Sequence, residues 1–259
     1  MSDLSLALAQ TAYALRGFLR NARALIFTVI MPVFLLLLFN AIFHGTLRFE
    51  GHPAPASSYF TASIVSYQIM LAGFGSLLIS VTTARQAGLL KRFRGTPMPG
   101  WVYLASEIGL SIAVVATTVT VLVAVGVIFD HVALSGHLLV GLVVYLVVGT
   151  ASFCALGLAL ARVCTTTDTA SAIGPFSTVV LSFLSGVFVP ISIMPAWLLD
   201  LGNAFPLAHL ARGMQAAFLV PGSTGISAEH LGVLAAWGMG GLVAAVRSFR
   251  WEPLGAGAS

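Results

Sequence analysis

The chain has 259 residues, of which 58% are hydrophobic and 8% charged, with a net charge of +4. A soluble domain of this size carries roughly a quarter of its residues as Asp, Glu, Lys or Arg, so a soluble globular fold is excluded. The basic balance then has to be read against lipid rather than nucleic acid, and two cysteines, Cys154 and Cys164, give no disulfide framework. Uncharged runs occupy 24–43, 61–82, 108–129, 137–161 and 172–199. Each matches the roughly 20 apolar residues that cross about 30 Å of hydrocarbon.

In chain order, residues 3–23 predict an amphipathic helix. At about 100° per residue, Leu4, Leu8, Ala12, Leu15 and Leu19 share one arc, and Arg16, Arg20 and Arg23 the next. Such a helix lies in a membrane interface, as a topology anchor or as an elbow against a cytosolic partner. The first span, 24–43, contains Pro32, which kinks or frees a carbonyl. Its apolar run exceeds the roughly 7–15 residues of a signal-peptide core. Residues 44–60 read as a loop with turn chemistry. The second span, 61–82, is rich in Ser, Gly and Ala, which permit close helix approach.

The loop TARQAGLLKRFRGTPMPGW at 83–101 carries four bases and no acid. It predicts a short helix over 84–96, stopped by Pro97, Pro99 and Gly100. The third span, 102–129, holds Glu107, and the fourth covers 137–161. The fifth, 172–189, is followed by Pro190, Pro195 and Pro206 with apolar pieces between them too short to cross. That pattern predicts a helix broken at the outer face and a re-entrant or interfacial segment over 190–213. The sixth span, 229–246, is glycine-rich. The fold class is therefore an all-α polytopic membrane protein of six transmembrane helices in one domain, 1–259. Helices are required because backbone groups in lipid must pair internally, and the alternation of a membrane barrel is absent.

With the N-terminus inside, ten of the twelve Lys and Arg fall on the inner side, leaving Arg48 and Arg212 outside. That bias places both termini in the cytoplasm and sets basic inner loops against anionic lipid.

Three pieces together resemble the ABC-2-type transporter permeases, in particular daunorubicin-resistance-like exporters. They are Gly88-x-x-Lys91-Arg92-x-x-x-Thr96-Pro97; Ser185-Gly186-x-Phe188-x-Pro190 followed by Met194-Pro195-x-Trp197 and Phe205-Pro206-Leu207; and Arg247-x-Phe249-Arg250-Trp251. The resemblance implies the membrane subunit of an exporter in a prokaryotic inner membrane. Two copies, identical or homologous, would form the pathway, each clamped to a separate ABC ATPase that binds ATP and Mg²⁺. It implies an ATPase-coupling loop containing Gly88, Leu90, Lys91, Arg92, Arg94, Thr96 and Pro97. It also implies an outer gate at Gly186, Phe188, Pro190, Pro195, Trp197 and Pro206. Family members often carry an acid just before the loop glycine. Here that run is Arg85-Gln86-Ala87, so no carboxylate role carries over.

The residues agree on one point. A phosphate-binding loop needs a lysine after glycine, and the single lysine, Lys91, lies in LLKRF. No catalytic residue and no cofactor of this chain's own is therefore expected. Glu107 admits three roles: a structural one, snorkelling from a shallow position or pairing with Arg85 or Arg92; contact with a cationic cargo; or proton coupling. Phe188 and Trp197 suit a gate plug or ordinary interfacial aromatics. His44, His52, His131, His137, His209 and His230 show no compact metal-ligand spacing, so they read as scattered interfacial histidines and no metal is expected. Few polar groups line the spans, which favours an amphipathic or hydrophobic cargo, such as a drug or lipid-like metabolite, over a glycolipid or polysaccharide precursor. The rival from another class is an ion-coupled secondary transporter, which would rely on Glu107.

Overall fold

Uncharged apolar runs become helices here because each helix pairs its own backbone groups. The computed structural model describes residues 3–49, 51–88, 100–130 and 132–248. Helix α1 (Asp3–Arg20) is followed by α2 (Ala22–Leu25), a π-helical turn (Ile26–Ile30) and α3 (Met31–Ile42). Pro32 sits in the first turn of α3, directly after the π turn. A proline ring clashes with the carbonyl four residues back, and the wider π turn lets the helix continue past it.

Residues 44–60, expected as a loop, hold a hairpin instead. Strands β1 (Thr46–Phe49) and β2 (His52–Pro55) pair antiparallel, with Thr46 opposite Pro55 and Phe49 opposite His52. Gly51, at φ +82°, makes the turn. Phe49 and Ala54 are buried, so even four-residue strands gain an inner face.

Helix α4 (Ala56–Met70), a π segment (Leu71–Ser76) and α5 (Leu77–Gln86) form one continuous rod. Then come α6 (Gly100–Asp130), α7 (Gly136–Val163) and α8 (Thr167–Leu184). Ser135 and Thr166 cap α7 and α8, their hydroxyls accepting from the Leu138 and Thr169 amides. A 3₁₀ turn (Ile191–Ile193), α9 (Ala196–Asn203), α10 (Pro206–Leu219) and α11 (Ala228–Ser248) complete the order. Among the described residues, four helices are long and apolar enough to span a bilayer: Ala56–Gln86, Val102–Phe129, Gly136–Val163 and Ala228–Arg247. The expected first span falls on the shorter run Ile26–Ile42. The expected fifth falls on α8, which ends at Leu184.

The rod Ala56–Gln86 is the centre of the bundle, touching α3, α6, α7, α8 and α10. Close approach comes from small residues. A Cβ at Gly157 of α7 would lie 2.8 Å from the Phe74 carbonyl oxygen of the rod. Gly238 and Gly241 of α11 lie against Ser152 and Ala155 of α7, and the Ser152 hydroxyl donates to the Leu234 carbonyl at 2.9 Å. Such small-residue contacts replace hydrophobic burial as the packing force in lipid.

Helix α1 packs along α6, with Thr11 against Gly109. Its inner face is Ala7, Thr11, Ala14 and Phe18 rather than the arc of leucines, of which Leu8 and Leu19 point outward. Outward leucines are what a lipid-facing helix presents.

Helix α9 leads into α10, which folds in beside α11. The Trp237 indole N–H donates to the Ala204 carbonyl at 3.1 Å, while Gly225 lies against Gly213 and Ala217. Helix α10 therefore runs antiparallel to the start of α11. It is buried along most of its length, and the Tyr145 hydroxyl, donating to the Gly225 carbonyl at 2.7 Å, closes the return.

Candidate functional site

The break after α8 begins with Ser185–Gly186. The Val187 and Phe188 amides both donate back to the Ser182 carbonyl, and Gly186 turns the chain at φ +75°. A side chain there would meet the Ile191 side chain, so glycine is required twice over. The turn leaves the Gly186 carbonyl facing inward. It accepts the Tyr59 hydroxyl at 2.6 Å and the Gln215 amide nitrogen at 3.3 Å. The Gln215 amide also donates to Ser63 Oγ at 2.9 Å. The Tyr59 oxygen in turn accepts the Ile191 amide at 3.2 Å. A node of buried polar groups thus holds α4, the break and α10 together.

Phe188 enters an aromatic cluster, its ring 5.6 Å from Phe39, 5.2 Å from Tyr67 and 5.3 Å from Phe183. Phe39 stacks on Phe60 at 5.0 Å. Of the six residues grouped as a gate, Gly186, Phe188 and Pro190 lie together at this node. Pro195 and Trp197 lie on the exposed side of α9, with Trp197 66% exposed. Pro206 is buried and starts α10. Tyr59 and Gln215 were missed by sequence reasoning: a tyrosine and a glutamine inside apolar helices carry no motif.

At the other end of the rod, the Arg85 guanidinium donates to the Cys164 carbonyl. Gln86 Oε1 accepts both the amide and the hydroxyl of Thr167, each at 2.7 Å. The end of α5 is thereby tied to the start of α8. Gly88, at φ +70°, turns the chain away directly afterwards. Leu90, Lys91, Arg92, Arg94, Thr96 and Pro97 lie outside the described residues.

The Glu107 carboxylate accepts the Ser80 hydroxyl at 2.7 Å and is also bonded by Tyr103. It borders a cavity of about 80 Å³ with Phe18, Thr28, Ser76 and Ser111. The expected pair with Arg85 does not form, because Arg85 reaches the Cys164 carbonyl instead. Arg92 lies outside the described residues.

The histidines are not all scattered. His44, His52 and His137 are exposed and His131 lies outside the described residues, but His209 and His230 meet, with Nδ1 atoms 3.1 Å apart. The antiparallel course of α10 and α11 brings together two residues that are 21 positions apart in sequence.

Residues 7–219 match the family model described as ABC-2 type transporter. The chain is also similar to YvfS of Bacillus subtilis (strain 168), which is named as a transport permease. The identity is 24% over 209 residues, covering 79% of this chain and 82% of that protein.

Proposed function

The chain belongs to the ABC-2 type transporter family, and on that footing we propose that it is the membrane subunit of an ATP-driven exporter of an amphipathic or hydrophobic molecule. Members of this family generally work with an ABC ATPase. In this reading two copies of the chain, or one copy and a homologue, are each clamped to an ATPase subunit that holds ATP and Mg²⁺. The chain crosses a prokaryotic inner membrane six times with both termini in the cytoplasm. The loop from Gly88 to Pro97 docks into the ATPase, and the break at Gly186 forms part of the outer gate.

The observation that carries this reading is the double tether of the rod Ala56–Gln86. Its first turn holds the break through Tyr59 and Gly186. Its last turn holds Thr167 through Gln86, beside the loop that begins at Gly88. A push at that loop is transmitted along one helical rod and along α8 to the same node. Packed elements with two arrangements convert such small displacements into opening. The largely apolar spans, with few polar groups among them, support a greasy cargo.

The test is purification of the tagged chain from its host in mild detergent, followed by mass spectrometry of the proteins retained. The expected result is an ATPase carrying a phosphate-binding loop, in stoichiometric amount, lost when residues 88–97 are replaced by a Gly/Ser sequence. A folded, monodisperse preparation that retains no such ATPase would overturn the proposal.

A further inference from the structure

One cluster of chemistry-bearing side chains plays no part in the transport reading. His209, in the first turn of α10, and Glu229 and His230, in the first turn of α11, present ligand atoms within 4.8 Å of one another. The two Nδ1 atoms are 3.1 Å apart. His209 is 4% exposed, and its Nε2 lies 3.0 Å from the Asn203 carbonyl oxygen. A carbonyl only accepts, so His209 Nε2 carries the proton and Nδ1 is left with a lone pair facing His230. This is the arrangement by which a backbone carbonyl orients a metal-binding imidazole and fixes its tautomer. The same bond holds the ring in place before any ion arrives.

We propose that His209, His230 and Glu229 form a binding site for a borderline divalent transition-metal ion, Zn²⁺ foremost. Two imidazole nitrogens 3.1 Å apart, each about 2.0–2.1 Å from a shared ion, subtend about 100°, which a four-coordinate site accepts. The Glu229 carboxylate supplies a third ligand and part of the compensating charge, and its exposure leaves room for a water as the fourth. Without the ion, the His230 Nδ1–H donates to His209 Nδ1. With it, that proton shifts to His230 Nε2 and both rings bind as neutral imidazoles. Two nitrogen donors favour Zn²⁺, Ni²⁺ or Cu²⁺ over Mg²⁺ and Ca²⁺, which take oxygen ligands. The ion would join the first turn of α10 to the first turn of α11. The proposal does not rest on the transporter assignment.

The full chain, purified through a tag without histidine and stripped with a chelator, is titrated with ZnCl₂ against a fluorescent zinc indicator. The thermal midpoint is followed in parallel. The expected result is one Zn²⁺ per chain, a raised midpoint, and no competition from excess Mg²⁺. His230→Ala and Glu229→Gln each weaken the binding at least about tenfold, while His44→Ala leaves it unchanged. These positions are half-buried or exposed, so the test does not depend on the folding of a His209 variant. Absence of stoichiometric Zn²⁺ binding, or binding that survives both His230→Ala and Glu229→Gln, would overturn the proposal.

Discussion

Two long helices with the same sequence signature sit in opposite ways. In an apolar stretch of 18 residues the rod Ala56–Gln86 has a mean hydropathy of 1.8 with 72% of the stretch buried, whereas the corresponding stretch of Val102–Phe129 has a mean hydropathy of 2.7 with 33% buried. The greasier helix faces outward. In water this ordering would be reversed, but hydrocarbon chains are as apolar as leucine, so burial follows small and polar groups instead. The rod carries Ser58, Ser63, Ser66 and Gln68 on its buried faces, and Gly73 and Gly75 in its π segment. Val102–Phe129 carries Thr117 and Thr120, which are exposed but return their hydroxyls to the carbonyls of Ala113 and Ala116. A threonine bonded to its own helix leaves no unpaired donor facing lipid.

The strongest way to break this contrast is to overfill the rod's tightest contact. Gly157→Leu would push a side chain into the backbone at Phe74, where a Cβ already comes within 2.8 Å. The expected cost is about 2–3 kcal/mol, read as a lowered thermal midpoint in detergent. Next come the polar groups at the break. Tyr59→Phe removes one bond to the Gly186 carbonyl and one from the Ile191 amide, costing about 1–2 kcal/mol. Gln215→Leu removes the bonds to Ser63 and Gly186, for about 1 kcal/mol. Because both residues hold one carbonyl, their costs should be non-additive by about 0.5 kcal/mol or more in a double-mutant cycle. At the small end, Ile128→Leu alters an outward isoleucine of Val102–Phe129 that is 67% exposed and should change stability by less than about 0.5 kcal/mol. If Ile128→Leu costs more than Tyr59→Phe, the inside-out ordering of the two helices is wrong.

The helical, membrane-spanning character was legible, because a long uncharged run has few alternatives to a helix in lipid; of the six expected spans, four are long and apolar enough among the described residues. A break was expected from the prolines after residue 189, but the helix ends earlier, at Leu184, where Gly186 turns the chain. What holds the break was not legible, since Tyr59 lies 127 residues from its partner Gly186 and nothing local marks the pair. The hairpin at 46–55 escaped because each strand has four residues and β2 is half proline, which hides the alternation. The side of α1 that packs on α6 was not legible, because Ala7 and Thr11 carry no apolar signal beside the leucine arc. In lipid the leucines can face outward while Ala7 and Thr11 pack. His209 and His230 looked scattered because their meeting depends on the return of α10, a property of the tertiary fold alone.

The proposed function gives the two ends of the rod different jobs: in it the Gln86 end meets the ATPase and the Tyr59 end lies at the outer face. Cys154 and Cys164 are each 1% exposed, so a single added cysteine dominates labelling by a membrane-impermeant maleimide. His52→Cys marks the hairpin beside Tyr59, and Ala87→Cys marks the chain just past Gln86; both positions are exposed. The account predicts that His52→Cys labels on intact cells. It predicts that Ala87→Cys labels only in inside-out vesicles and becomes shielded when the ATPase is bound. Labelling of Ala87→Cys on intact cells, or no shielding by a bound ATPase, would contradict it.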